Sequence, residues 1–379
     1  MNGDVSTAPP QVPPCASEDP TPAPDDVTST RVVLYLQDPR AHASDRLRWA
    51  QLPRELRDEL EATMDARVLE EISVVSGFSP GMGSLLRLST GEQVFLKAAR
   101  TRDAPECADL HRAEAHITVR LPTAVPTPRF LWGHGDGDWI VLAYEAVDGF
   151  PPQTPWQPAV LARVLDTLDD LARVPGARQI PLPPAGPQVA SATTGWGRLV
   201  REPYEHLPTL SPWAARRLTS LAEVELGVLV ACEGESIVHG DMQARNLAVT
   251  DDKVYVLDWP YAMRGAGWLD LANLLVTVGA QGVAGVFDPV DVHVPTDGGA
   301  PAVIWDDAER AGAWLTAVFD DHPLGADVHP ADLRSILSGF AGYNMDLARR
   351  PAPRSNPCQP TVTLGRAVSA LAWLEHLGL

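Results

Sequence analysis

The sequence is poor in the residues that build disulfide staples, metal knuckles or a nucleic-acid face. Only four cysteines occur in 379 residues, Cys15, Cys107, Cys232 and Cys358, with no Cys-x-x-Cys pair. That spacing argues against a disulfide framework or a zinc site and makes a reducing cytoplasm the expected setting. Basic residues are few, 30 Lys and Arg against 49 Asp and Glu, a formal net charge of −19. Proteins that hold nucleic-acid phosphates concentrate Lys and Arg, so nucleic acid is not an expected partner. An acidic surface favours solubility and can steer a cationic substrate. Residues 1–30 hold seven prolines and neither Lys nor Arg, so they carry no secretory signal and read as a disordered Pro-rich tail. No long uninterrupted apolar run exists either. The nearest, Trp268 to Phe287, is broken by Asp270, Asn273, Gln281 and glycines. It reads as a buried helix followed by a loop, so no membrane association is expected.

What remains is a globular composition, 45% hydrophobic and 21% charged, long enough for two lobes. The first half is strand-rich. A short strand or extended arm is expected at Arg31 to Leu36, and a helix from the apolar stripe Leu52, Leu56, Leu60, Met64 and Val68. Strands follow at Ile72 to Val75, Leu85 to Leu88 and Gln93 to Ala98, the last two joined by a turn at Thr90-Gly91. A helix is predicted over Cys107 to Leu121, then strands at Phe130 to His134 and Trp139 to Tyr144. Beyond a connector at Glu145 to Gly149 the pattern turns helical: Pro155 to Val174, Pro212 to Cys232, Trp268 to Val278, Pro301 to Phe319, Pro330 to Leu347 and Leu364 to His376. One hairpin is expected among them, near residues 246–258. The expected division is a tail over 1–30, a β-rich lobe over 31–147 and a helical lobe over 148–379.

The densest chemistry lies in Val238-His239-Gly240-Asp241-Met242-Gln243-Ala244-Arg245-Asn246 and, after an apolar strand, Leu257-Asp258-Trp259-Pro260. The pattern His-Gly-Asp-x-x-x-x-Asn followed by a strand-end Asp is what phosphoryl transfer requires. One carboxylate, Asp241, accepts the proton of an attacking hydroxyl, and an amide oxygen (Asn246) with a second carboxylate (Asp258) holds Mg²⁺ on nucleotide phosphates. Upstream, the Gly- and Ser-rich turn from Ser76 to Ser84 lies between two strands. Ser79, Gly81, Gly83 and Ser84 are its candidates for phosphate contact, because free backbone N–H groups there can bind phosphate oxygens.

This arrangement resembles the His-Arg-Asp-x-x-x-x-Asn loop of protein kinases. Gly240 in place of Arg and Asp-Trp-Pro in place of Asp-Phe-Gly make it more similar to the aminoglycoside phosphotransferase and choline kinase branch. The resemblance runs from about Val74 to the C-terminus and is dense only around 237–274. It implies an α+β, protein-kinase-like fold with a small β-rich N-lobe and a larger helical C-lobe. It implies that Lys97, ending the strand Val94-Phe95-Leu96, contacts nucleotide phosphates and pairs with a helix Glu. Glu114 is the matching candidate, with Glu106 and Asp109 as competitors. Glu145 and Val147 would offer backbone groups to the adenine edge. Asp270 would accept hydrogen bonds from catalytic-loop N–H groups, and His239 would orient that loop without itself transferring protons. Arg245 departs from the family pattern and either reaches phosphate or is solvated.

The reading is an ATP- and Mg²⁺-dependent O-phosphotransferase acting on a hydroxyl of a small molecule. Two alternatives stay open. A Ser/Thr protein kinase is disfavoured because no long activation segment with Ala-Pro-Glu follows Asp258. A nucleotide-binding regulatory module without turnover is disfavoured because Asp241, Asn246 and Asp258 are all present.

Overall fold

The structure is a computed structural model that describes residues 31–35, 46–74, 80–175, 177–295, 299–353 and 356–379. The Pro-rich tail, Val75 and the turn residues 76–79, Ser79 among them, lie outside the described residues.

Strands Arg31–Tyr35 (β1), Val68–Val74 (β2), Met82–Leu88 (β3), Gln93–Arg100 (β4), Phe130–Gly135 (β5) and Trp139–Glu145 (β6) form one sheet in the order β1-β2-β3-β4-β6-β5. Every pairing is antiparallel except β1 with β2. Gly91 makes the β3–β4 turn possible with a φ of 89°, a region closed to most side chains. The apolar stripe near the start divides between two elements. Helix α1 covers only Arg54–Met64, because Asp65 caps it in the left-handed region (φ 49°). Val68, which continues the spacing of four, instead opens β2. Leu52, Leu56 and Leu60 pack with Leu86, Leu96 and Val141 to form the core of this lobe.

Helix α2 runs Pro105–Thr118, with Pro105 at its first turn where a missing N–H costs nothing. Its buried face carries Cys107, His111, Glu114 and Thr118. That face is polar where a packing helix would ordinarily be aliphatic, which marks it as the wall of a site.

The helical lobe begins with α3 (Pro158–Ala172) and the short helices α4 (Ala185–Ala192), α5 (Gly195–Arg201), α6 (Leu207–Leu210), α7 (Pro212–Arg216), α8 (Leu218–Val224) and α9 (Val228–Ala231). Residues 212–232 are therefore not one helix. The break falls where Glu225, in a 3₁₀ turn, buries its carboxylate to accept the N–H groups of Trp196 and Gly197 at 3.1 and 2.7 Å. It caps α5 at the expense of its own helix. Helix α10 (Leu269–Gln281) is buried on nearly all sides, and α11 (Ala308–Asp321), α12 (Pro330–Ala348) and α13 (Gln359–His376) pack around it.

Four more strands pair in three small sheets than the single expected hairpin allows. Ser236–Val238 (β7) pairs with Met263–Gly265 (β10), Leu247–Val249 (β8) with Val254–Val256 (β9), and Asp291–His293 (β11) with Ala302–Ile304 (β12). The last pair takes the first residues expected of the helix at 301–319, where Val303, β-branched and opposite Val292, favours a strand. No helix among the described residues is long and apolar enough to cross a membrane.

Candidate active site

The two small ladders β7–β10 and β8–β9 hold the loop 239–246 and the segment after β9 against each other. His239 ties them together. Its Nε2–H donates to the Leu257 carbonyl at 3.0 Å, which leaves Nδ1 to accept the Asp241 N–H at 3.3 Å. The ring also stands edge-on to Trp259, with centroids 4.8 Å apart. Both nitrogens are used structurally, in keeping with an orienting residue.

Asp270 holds the loop from below. Its carboxylate is 3% exposed and accepts the His239 N–H at 2.6 Å and the Gly240 N–H at 3.0 Å. Burial pushes this carboxyl up, against the pull of His239 and the two amides. Replacing Asp270 with Ala leaves two buried donors without an acceptor, so unfolding free energy should fall by about 1–3 kcal/mol, measured by chemical denaturation. Gly240 itself has φ 82°, and a Cβ there would lie 2.7 Å from the Tyr261 carbonyl oxygen. A side chain at 240 would collide with that carbonyl on this backbone path.

Asp241 is held from both sides. Gln243 Nε2 donates to one carboxylate oxygen at 2.5 Å, and Asn246 Nδ2 donates to the other at 2.9 Å and to the Asp241 carbonyl at 2.8 Å. Those bonds commit the amine end of Asn246 to Asp241 and leave its amide oxygen as the end able to bind a cation. Arg245 approaches the same carboxylate at 3.8 Å. Gln243 in turn accepts a hydrogen bond from Arg366 on α13. Burial, with Arg245 nearby, pulls Arg366 down to about 10, so it remains charged at neutral pH.

Across the cleft, Lys97 Nζ lies 2.7 and 2.8 Å from the two Glu114 oxygens and 2.8 Å from Asp258 Oδ1. The ammonium thus bridges the lobes. Burial disfavours its charge, but Asp258 and Glu114 overcome that and hold it well above the usual lysine range. Glu106 and Asp109, the competing acids on α2, are exposed, and Asp109 pairs with Arg112. Asp258 has φ 68°, a conformation that costs most non-glycine residues energy and that clusters at functional positions. Burial raises its carboxyl, yet Lys97 more than offsets this and takes it down to about 2. With a folded value below the unfolded one, this ion pair adds stability above pH ~4, which is lost as pH falls towards about 2. The stability difference between wild type and Asp258→Asn should therefore shrink over that window in acid denaturation.

A cavity of about 880 Å³ between the lobes is bordered by Gly81, Gly83, Lys97, Glu114, Glu145, Val147, Asp241, Asn246 and Asp258. It is of a size that takes a drug-sized or cofactor-sized ligand. Ser84 does not border it. Its buried hydroxyl donates to Glu71 at 2.7 Å, and Glu71 also accepts the Trp49 N–H. Side chains alternate along β3, and Ser84 falls on the face opposite the cleft. Phe150 and Val249 exchange backbone hydrogen bonds of 3.0 and 2.8 Å, which joins the connector to β8.

A second cavity, about 590 Å³, adjoins the first and shares Asp241, Arg245, Pro260 and Tyr261 with it. Asp241 thus stands where a ligand of each cavity can meet. Gln243 and Arg366 are the residues the sequence reading missed. Gln243 sits at a variable position of the loop pattern, and Arg366 lies 123 residues away from it, so no local signal joins them. Among the described residues no group of three or more His, Cys, Asp or Glu side chains could hold a metal ion; the candidates in the cleft are the Asp258 carboxylate and the Asn246 amide oxygen.

The family model described as "Phosphotransferase enzyme family" matches residues 74–293, more than half of the chain. No curated protein matches the sequence. Among solved structures, a choline/ethanolamine kinase family protein from Mesorhizobium loti is similar at 14% identity and TM-score 0.49, covering 85% of this chain and 97% of its own. An aminoglycoside-3'-phosphotransferase of type VIII is similar at 21% identity and TM-score 0.47, covering 76% and 100%. A fructosamine-3-kinase homologue from Haemophilus somnus is similar at 13% identity and TM-score 0.46, covering 81% and 95%.

Proposed function

The chain belongs to the phosphotransferase enzyme family, and from that premise we propose that it transfers the γ-phosphoryl group of ATP to a hydroxyl of a small molecule. The observation that carries this is the position of Asp241 at the junction of the two cavities, with Asn246 attached to its carboxylate and Asp258 across the cleft. In the reaction the acceptor O–H gives its proton to the Asp241 carboxylate as the new O–P bond forms. The bond between the β,γ-bridging oxygen and the γ-phosphorus breaks, and its electron pair leaves with ADP. Gln243 and Asn246 hold Asp241 in place for that proton.

Lys97, kept charged and in place by Glu114, pairs with the nucleotide phosphates. The same ammonium also meets Asp258 at 2.8 Å, which sets it beside the carboxylate proposed to hold the metal. Gly81 and Gly83 bring backbone close to the phosphates, and the Glu145 to Val147 backbone faces the adenine. The hard oxygens of Asn246 and Asp258 fit Mg²⁺, which takes few protein ligands and fills its remaining positions with phosphate and water. Bound there, Mg²⁺ would neutralise charge on the phosphates. The proposed setting is the cytoplasm, where ATP is supplied and the thiols of Cys107, Cys232 and Cys358 stay free.

Glu114 matters through Lys97. Lys97→Ala should impair nucleotide use strongly, and Glu114→Ala less, by freeing the ammonium from its bidentate hold. A side-by-side titration with a non-hydrolysable ATP analogue, with and without Mg²⁺, tests the reading. Tight Mg²⁺-dependent binding that weakens in the order wild type, Glu114→Ala, Lys97→Ala is expected, and equal affinity for all three contradicts it.

A further inference from the structure

The second cavity has a charge pattern that selects its ligand. Its lining holds two guanidinium groups, Arg245 and Arg366, and a single carboxylate, Asp241, among the described residues. The remaining polar groups are neutral amides, hydroxyls and the tyrosines Tyr261 and Tyr343. With Asp241 committed to the reacting hydroxyl, no acidic side chain is left there to hold an ammonium group.

Arg245 is already paired with Asp241 at 3.8 Å, whereas Arg366 has no carboxylate behind it among the described residues. Arg366 makes one hydrogen bond, to the neutral oxygen of Gln243, and no ion pair among the described residues. Asp346 on α12 is wholly buried and already surrounded by Arg198, Arg349 and Arg350. Arg366 is half-buried and borders the cavity, and its planar fork suits a carboxylate or phosphate. Asn356 adds a buried amide oxygen without a partner among the described residues, an acceptor for a ligand hydroxyl. Tyr261 and Tyr343 are partly exposed and offer flat apolar faces to a carbon chain.

Resting on the phosphotransferase reading above, we infer that the acceptor is a polyhydroxylated compound bearing an anionic group, seated with that group on Arg366 and one hydroxyl at Asp241. The acidic surface of the whole chain acts on encounter at long range, whereas the pocket charges act in contact. At physiological salt, where exposed charges are screened beyond ~8 Å, the contact charges decide which ligand is held.

Three matched open-chain polyols separate the possibilities: gluconate, glucitol and glucamine, which differ only in a terminal carboxylate, hydroxyl or ammonium. Their dissociation constants are measured by NMR titration of the full chain saturated with Mg²⁺ and a non-hydrolysable ATP analogue. Gluconate should bind at least tenfold more tightly than glucamine, with glucitol between. Arg366→Gln should remove most of that preference, and Arg366→Lys should keep part of it. Because Arg366 also holds Gln243, Gln359→Glu provides an independent variant. A new carboxylate in the same cavity should weaken gluconate and strengthen glucamine. Equal affinities, no gluconate binding, a preference for glucamine, or an unchanged order in Gln359→Glu overturns the inference. Saturation by the nucleotide analogue is read separately, so a failed charge preference in a nucleotide-binding protein removes this assignment and leaves the phosphotransferase reading standing.

Discussion

Asp241→Ala is expected to lower phosphoryl transfer by about 10²–10⁴-fold, the usual worth of a positioned general base, while ATP affinity stays near that of the wild type. The split follows from the geometry. Asp241 touches Gln243, Asn246 and Arg245 but not Lys97, and it faces the acceptor cavity as well as the cleft. Removing its carboxylate takes away the proton acceptor and leaves the Lys97 to Glu114 pair intact. Asn246 loses one of its two anchors, so a modest weakening of Mg²⁺ dependence is expected alongside. Steady-state kinetics and a separate nucleotide titration check the two halves of this result. Near-normal turnover by a folded Asp241→Ala protein would remove the proposed base.

Asp258→Asn should be as severe by another route. Its backbone lies in the left-handed region, φ 68°, which Asn tolerates better than most residues. The substitution therefore changes the charge and leaves the chain path alone. It removes the carboxylate proposed to hold the metal and one of the two that hold Lys97. A loss of about 10³-fold or more in kcat/KM is expected, equivalent to several kcal/mol of transition-state charge stabilisation. The Mg²⁺ dependence of nucleotide binding should fall with it. Affinity that is unaffected by EDTA in the wild type and by the substitution would contradict the metal assignment.

Much of this site was legible in the sequence, for physical reasons that differ by residue. Asp241, Asn246 and Asp258 lie close in sequence, on two tiny ladders, so their spacing carries their geometry. Lys97 and Glu114 could be matched because a charge within a largely apolar strand needs a buried partner, and Glu114 is the acid that α2 turns inward. Ser84 misled because alternation along β3 places it on the face towards Glu71, and a turn-like composition does not reveal which face a side chain takes. Glu225 broke an expected helix because its carboxylate serves α5, a tertiary demand that no local pattern encodes. Arg366 and the second cavity arise where α13 meets the catalytic loop, and that meeting exists only in the folded chain.

In the proposed reaction a phosphoryl group moves from Mg²⁺-ATP to a small-molecule hydroxyl with Asp241 as base. The most direct test is ³¹P NMR of the protein with Mg²⁺, ATP and a pooled panel of anionic, neutral and cationic polyols, run beside Asp241→Ala. A phosphomonoester signal that grows with ADP in the wild type, and is absent both with EDTA and in the variant, is the predicted result. A product signal of equal size in the variant, or ATP consumed to inorganic phosphate alone across the whole panel, would contradict the account.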